Sequence, residues 1–293
     1  MKKTKINIYQ IISVLSLTGF ILSTAVLLYP VVSDRWNRHR DLELINDYIK
    51  TVENGDRTVY DMELQKAMDY NKFLYSEGRN IVTDAEYEPD AYYEELLSAG
   101  DIGGIMCYIE IPSIDVTEPV YHYSTEISLG EGVGHIHGSS LPTGGVNTHS
   151  VLTGHRGLPN QKFFSDLDKV KTGDNFYIHI LGNTLAYKVV DIKIIVPTDV
   201  DALMIEEGRD LITLVTCEPY GVNTHRLLVT GERFEFDDSK YVKDGFITNE
   251  KHKVIVDPAV WVFVGFMTFI LVTAIIVLIG KIYNNIKIKK LNE

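Results

Sequence analysis

From Gly104 onward the apolar positions fall into short runs rich in β-branched and aromatic residues: GIMCYIEI, PVYHY, SVLTG, NFYIHI, LAYKVVDIKIIV, LITLVTC and HRLLVTGERFEF. Pro, Gly, Asn and Asp punctuate them, and runs bounded in this way read as strands. Their number and shortness predict a mainly β domain over residues 104–236, either a closed barrel or a sandwich. Ahead of it the pattern changes period. Asp34 to Val52 is rich in helix formers and charge, and Tyr60, Leu64, Ala67, Met68 and Leu74 recur at helical spacing. A helical extension over 34–103 is expected, its apolar stripe packed on the β-domain.

Two longer apolar stretches frame these regions. No charge occurs between Lys5 and Asp34 or between Asp257 and Lys281, and each gap can hold the roughly 20 apolar residues that cross a bilayer. The expected order is a cytoplasmic start with a first transmembrane helix (1–33), the extension, the β-domain, a linker (237–257), a second transmembrane helix (258–280) and a cytoplasmic tail (281–293). The MKKTK start would also suit a signal peptide. However, the apolar stretch runs on through AVLLYPVV without a small-x-small cleavage site, so an uncleaved anchor is expected. Lys2, Lys3 and Lys5 precede the first span and Lys281, Lys287, Lys289 and Lys290 follow the second. The positive-inside rule then puts both termini in the cytoplasm and the domain between the spans on the exterior face of the cell membrane.

Net charge narrows the partners. The chain carries −12 overall, and the basic ends leave −18 for residues 30–280. So acidic a domain repels nucleic acid and anionic membrane surfaces, which excludes a nucleic-acid partner. Its two cysteines, Cys107 and Cys217, with scattered histidines, form neither CxxC nor HExxH, and GxGxxG is absent. No metal, nucleotide or other cofactor is expected.

Chemistry concentrates in LITLVTCEPYGVNTHRLLVTGER, Leu211 to Arg233. Two β-forming runs joined by a Pro-Tyr-Gly-Val-Asn turn read as neighbouring strands, which brings Cys217 and Arg226 close across the connection. His155, in SVLTGHRG, offers an acid or base. A nucleophile, a proton carrier and a fixed cation for an oxyanion are the parts of acyl transfer. Pairing with Cys107 would silence the nucleophile, but Cys107, inside GIMCYIEIP, reads as a buried strand thiol. GVNTHSVLTGHRG from Gly145 and GVNTHRLLVTGER from Gly221 share a turn followed by a strand. The echo implies two similar loop-to-strand entries, with His149 and His225 structural.

TLVTC, GVNTHR and SVLTGHRGLP resemble the active-site segments of sortases, the membrane-bound cysteine transpeptidases of Gram-positive bacteria. CEPYGVNTHRLLVTGER, with two membrane segments and a long N-terminal extension, most resembles class C, the pilin-polymerising sortases. The resemblance covers roughly residues 60–236 and implies a closed sortase-type β-barrel. It makes Cys217 the nucleophile, Arg226 the cation on the substrate carbonyl or oxyanion, and His155 the proton carrier. Thr216 is a candidate support for substrate or oxyanion. The implied reaction cleaves an LPxTG-like sorting signal between Thr and Gly and transfers the acyl group to a pilin lysine. The implied partners are pilins or surface proteins bearing sorting signals. A wall-anchoring sortase using a cell-wall precursor amine is the enzymatic alternative, and a non-catalytic surface binding protein the other. Class C sortases usually carry an Asp-Pro-aromatic lid triplet. TDAEYEPDAYY has Ala85 in place of the proline, leaving Asp84 and Tyr87 as candidate lid residues.

Overall fold

The computed structural model describes residues 8–78, 90–98 and 103–235, with scattered positions between 264 and 282. By its contacts the chain divides into two units, Pro30–Asp238 and Met1–Tyr29 with Ser239–Glu293.

Eight strands form a closed barrel: β1 (Ile105–Ile111), β2 (Val116–His122), β3 (Val133–His135), β4 (Thr148–Thr153), β5 (Asn175–Ile180), β6 (Asn183–Ile195), β7 (Asp210–Glu218) and β8 (His225–Arg233), in the spatial order β1-β2-β3-β4-β7-β8-β6-β5. Closure leaves no open sheet edge. All seven runs picked out by the apolar pattern contain or overlap strands. β3 is not among them, being the three residues VGH, too short for alternation to register. It nevertheless completes the ring, parallel to β2 and antiparallel to β4.

Strand alternation separates two apolar groups. Ile212 and Leu214 of β7 and Leu227 and Val229 of β8 join the main core, whereas Val215 and Leu228 belong to a smaller cluster with Val151 and Leu203. Successive side chains point to opposite faces, so the second group marks the outward face of β4, β7 and β8. Leu203, in the β6–β7 connection, covers it.

The extension is helical as expected: α1 (Ile8–Asn54), α2 (Arg57–Glu77) and the single turn α3 (Ala91–Glu95). Asp56 caps α2 by accepting from Thr58 N–H at 2.9 Å, and Gly78 ends it in the left-handed region. The stripe facing the core is Tyr60, Ala67, Tyr70, Asn71 and Leu74, with Leu64 packed beside it. Met68, expected on that face, is exposed, because the buried arc runs through Ala67, Tyr70, Asn71 and Leu74. Asn71 secures the helix. Its Nδ2 donates to the Leu141 carbonyl and Thr143 Oγ1, both at 3.0 Å, and its Oδ1 accepts from Leu141 N–H at 2.7 Å.

Tyr93 of α3 is fully buried, and its hydroxyl lies 2.6 Å from His135 Nδ1. The other ring nitrogen is 2.8 Å from the Ser140 carbonyl, which can only accept. The proton therefore sits on Nε2, and Nδ1 accepts from Tyr93. Burial pushes the His135 pKa down to about 3, so this tautomer is neutral.

Among the described residues one helix, α1, is long and apolar enough to cross a membrane. Val14, Leu15, Leu22 and Val26 on it are more than 60% exposed, apolar surface of the kind that lipid covers. Of the expected second span, the described positions between 264 and 282 are helical. Asp84 and Tyr87, the candidate lid residues, lie outside the described residues.

Candidate active site

β7 is the axis of the site. It pairs in parallel with β4, from Thr148↔Asp210 to Thr153↔Val215, and antiparallel with β8, from Leu211↔Glu232 to Glu218↔His225. A parallel neighbour ends where β7 ends, and an antiparallel neighbour begins there. The residue after β4, the last residues of β7 and the first of β8 are thereby gathered at one end of the barrel.

Cys217 and Arg226 are direct partners in the β7–β8 register. Directly opposed residues share a face, and Cys217 lies two positions beyond Val215, which places the thiol and the guanidinium on the outward side. Thr216 points the other way and is 1% exposed. Its Oγ1 donates to the Gly154 carbonyl at 2.7 Å, while Gly154 N–H donates to the Val215 carbonyl at 3.1 Å. Thr216 therefore supports the chain that carries His155, and its hydroxyl proton is already committed there. His155 follows two residues after the Thr153↔Val215 pair, as Cys217 does on β7.

The His155 loop is compact. Phe164 N–H donates to the His155 carbonyl at 3.2 Å, and Gly157 N–H to Ser165 Oγ at 3.1 Å. A Cβ on Gly154 would stand 2.9 Å from the Phe164 ring, so only glycine allows this approach. His155 is half-buried. Burial holds its pKa below the ordinary imidazole value, opposed in part by Glu126 on α4 (Glu126–Glu131).

The two arginines of the site are differently engaged. Arg226 Nη1 donates to the carbonyls of Asn223 (3.2 Å) and His225 (3.0 Å), and it makes no ion pair among the described residues. Arg156, next to His155, has a side chain only 5% exposed and is ion-paired to Asp168 at 2.9 Å and to Glu218. It also donates to the Cys217 carbonyl at 3.4 Å. Arg156 is not among the candidate residues that the sequence motifs single out. Its signal was an arginine directly after the histidine and a glutamate directly after the cysteine.

The echoed turns are real. Gly145 and Asn147 before β4, and Gly221 and Asn223 before β8, all have positive φ, and the two strands they lead into flank β7. His149 is structural. Its Nδ1–H donates to the Met204 carbonyl at 2.8 Å, and Nε2 accepts from Thr213 Oγ1 at 2.7 Å. Both cysteines are free, Cys107 being fully buried with its thiol pKa pushed up by that burial. Among the described residues no group of His, Cys, Asp and Glu could hold a metal ion.

A barrel with a cysteine and an arginine paired across two strands, and a histidine at the end of the third, defines a class. The Sortase domain family matches residues 109–234. Solved structures of Streptococcus agalactiae sortase C1 (39% identical, TM-score 0.61, covering 66% of this chain and 97% of that one) and Actinomyces oris sortase C-1 (47%, TM-score 0.56, 60% and 99%) share the architecture. Sortase A of Staphylococcus aureus is 33% identical over 121 residues, 40% of this chain. The chain spans 57% of the length of that curated relative. This chain belongs to the sortase family, and its likeness to solved sortases C agrees with the class C resemblance of its motifs.

Proposed function

We propose that the protein is a membrane-anchored cysteine transpeptidase that polymerises pilin subunits. The observation that carries the reading is the convergence of Cys217, Arg226 and the His155 loop at one end of β4, β7 and β8. Cys217 Sγ attacks the Thr carbonyl of an LPxTG-like signal, and the Thr–Gly C–N bond breaks. Arg226, without a carboxylate partner among the described residues, stabilises the oxyanion. His155 gives a proton to the departing glycine amine. A lysine Nζ then attacks the thioester, His155 takes up its proton, and an isopeptide bond forms as Sγ leaves. Thr216 contributes by holding Gly154 rather than by touching the oxyanion.

The pilin acceptor rests on likeness. A solved sortase C of Streptococcus pneumoniae, 38% identical with a TM-score of 0.62, is described in terms of pilin substrate specificity. Another solved neighbour is sortase C1 of GBS Pilus Island 1. Water at about 55 M competes for the thioester, so only a positioned amine yields joined chains. The test incubates the protein with a sorting-signal protein and a lysine-bearing pilin domain, and seeks a Thr-to-Lys isopeptide by mass spectrometry. Transfer only to a cell-wall peptide amine would replace pilin polymerisation with wall anchoring.

A further inference from the structure

We propose that Arg156 is a positioning residue for the acyl transfer, its guanidinium locking the chain at His155 to the chain at Cys217. The inference rests on the transpeptidase reading of the site. Arg156 directly follows one candidate catalytic residue, and its partner Glu218 directly follows the other. The pair therefore joins the two chains one residue beyond the groups that must cooperate. Nη1 reaches both Glu218 and the carbonyl of Cys217 itself, while Nη2 reaches Asp168 on the far side of the His155 loop. Tyr220 in the β7–β8 turn lies with its ring centroid 5.8 Å from the guanidinium carbon. One planar group thus fastens the His155 loop, the end of β7 and the following turn.

Only a guanidinium suits these contacts. A lysine ammonium is a point charge, and it cannot reproduce the forked geometry that spans Asp168 and Glu218. The Arg156 side chain is 5% exposed and that of Glu218 21%, against 46% for Asp168, so the pair with Glu218 is the more shielded of the two and holds its geometry more firmly than exposed pairs do. This link lies two residues further out on each chain than the Thr216–Gly154 hydrogen bond. Together they fix the residues on either side of His155, Gly154 and Arg156, and leave the His155 ring between them free to work. A shift of about 1 Å between reacting groups can cost about 10²-fold in rate. Arg156 therefore acts on turnover through placement and touches no substrate.

The test uses the full-length protein in detergent and measures steady-state transpeptidation by Arg156→Lys, Glu218→Gln and the double variant. Thermal unfolding and the pH profile are recorded alongside. The expected result is a fall in kcat of about 10–100-fold for Arg156→Lys, with KM for the sorting peptide little changed and cooperative unfolding retained. Glu218→Gln should lower kcat in the same direction, and the double variant should lose less than the product of the single losses, because both act through one contact. Arg156→Lys with wild-type kcat, or a loss lying wholly in KM, would overturn the positioning role while leaving the transpeptidase reading intact. A folded wild-type protein that joins no chains would reject both.

Discussion

Cys217 and Arg226 stand directly opposite one another across the β7–β8 ladder, on the face that also carries Val215 and Leu228. Neither depends on a flexible loop for its place, since both are strand residues within a closed barrel. Loss of a preorganised oxyanion donor typically costs about 10²–10³ in rate. Arg226→Ala should therefore lower kcat by that order while the protein stays folded, and Arg226→Lys should recover only part of it. Cys107→Ala should leave turnover unchanged, since Cys107 is fully buried in β1. Steady-state rates of the three variants, with circular dichroism as the folding control, check this.

His155 supplies a test by titration. Burial favours its neutral form and Glu126 favours the charged form. The His155 ring should titrate below the ordinary histidine value near 6.5. Glu126→Gln removes the opposing carboxylate and should move the midpoint further down. NMR of the histidine Cε1–H signals, assigned with His155→Gln, reads both effects. An upward shift in Glu126→Gln would contradict the electrostatic picture.

Asn71 ties α2 to the barrel through three buried hydrogen bonds. Asn71→Ala leaves the Leu141 amide and carbonyl without those partners, a loss of about 2–4 kcal/mol in unfolding free energy. Asn71→Asp retains an acceptor for Leu141 N–H but removes the donors, and it should also destabilise at neutral pH. Urea titration of the purified protein measures both. Equal stability of Asn71→Ala and wild type would show that the helix is held by its apolar stripe alone.

The lysine asymmetry carries its own expectation. Protease added to cells stripped of their wall should cut within residues 34–257 and leave tags at both termini intact. Digestion of a tag after Glu293 from outside would reverse the expected arrangement.

Legibility followed segment length and local chemistry. NFYIHI reads as a strand and is β5 residue for residue, because alternation over six positions between turn residues leaves little else to form. The Cys217–Arg226 pairing was equally readable, the turn residues Gly221 and Asn223 both taking the positive φ that their chemistry favours. β3 and α4 were not legible. Three and six residues are too few to carry a period, and only the neighbouring strands give β3 its place. The continuity of α1 was also hidden. Composition changes from apolar to charged near Asp34, yet the helix runs through Pro30 from Ile8 to Asn54. Arg156 is marked in the sequence only by its place directly after His155, as Glu218 is by its place directly after Cys217; that its guanidinium pairs with Asp168 and Glu218, 12 and 62 residues away, is a property of the fold and not of local pattern.

The measurement closest to the central claim is the intact mass of the full-length protein after brief exposure to a peptide bearing an LPxTG-like signal. Wild type should gain the mass of the peptide up to and including its threonine, release the remainder, and lose the adduct to hydroxylamine. Peptide mapping should locate it on Cys217, and Cys217→Ala should gain nothing. Undiminished cleavage or joining by Cys217→Ala, or an adduct mapped to any other residue, would contradict the assignment of Cys217 as the acyl-transfer nucleophile.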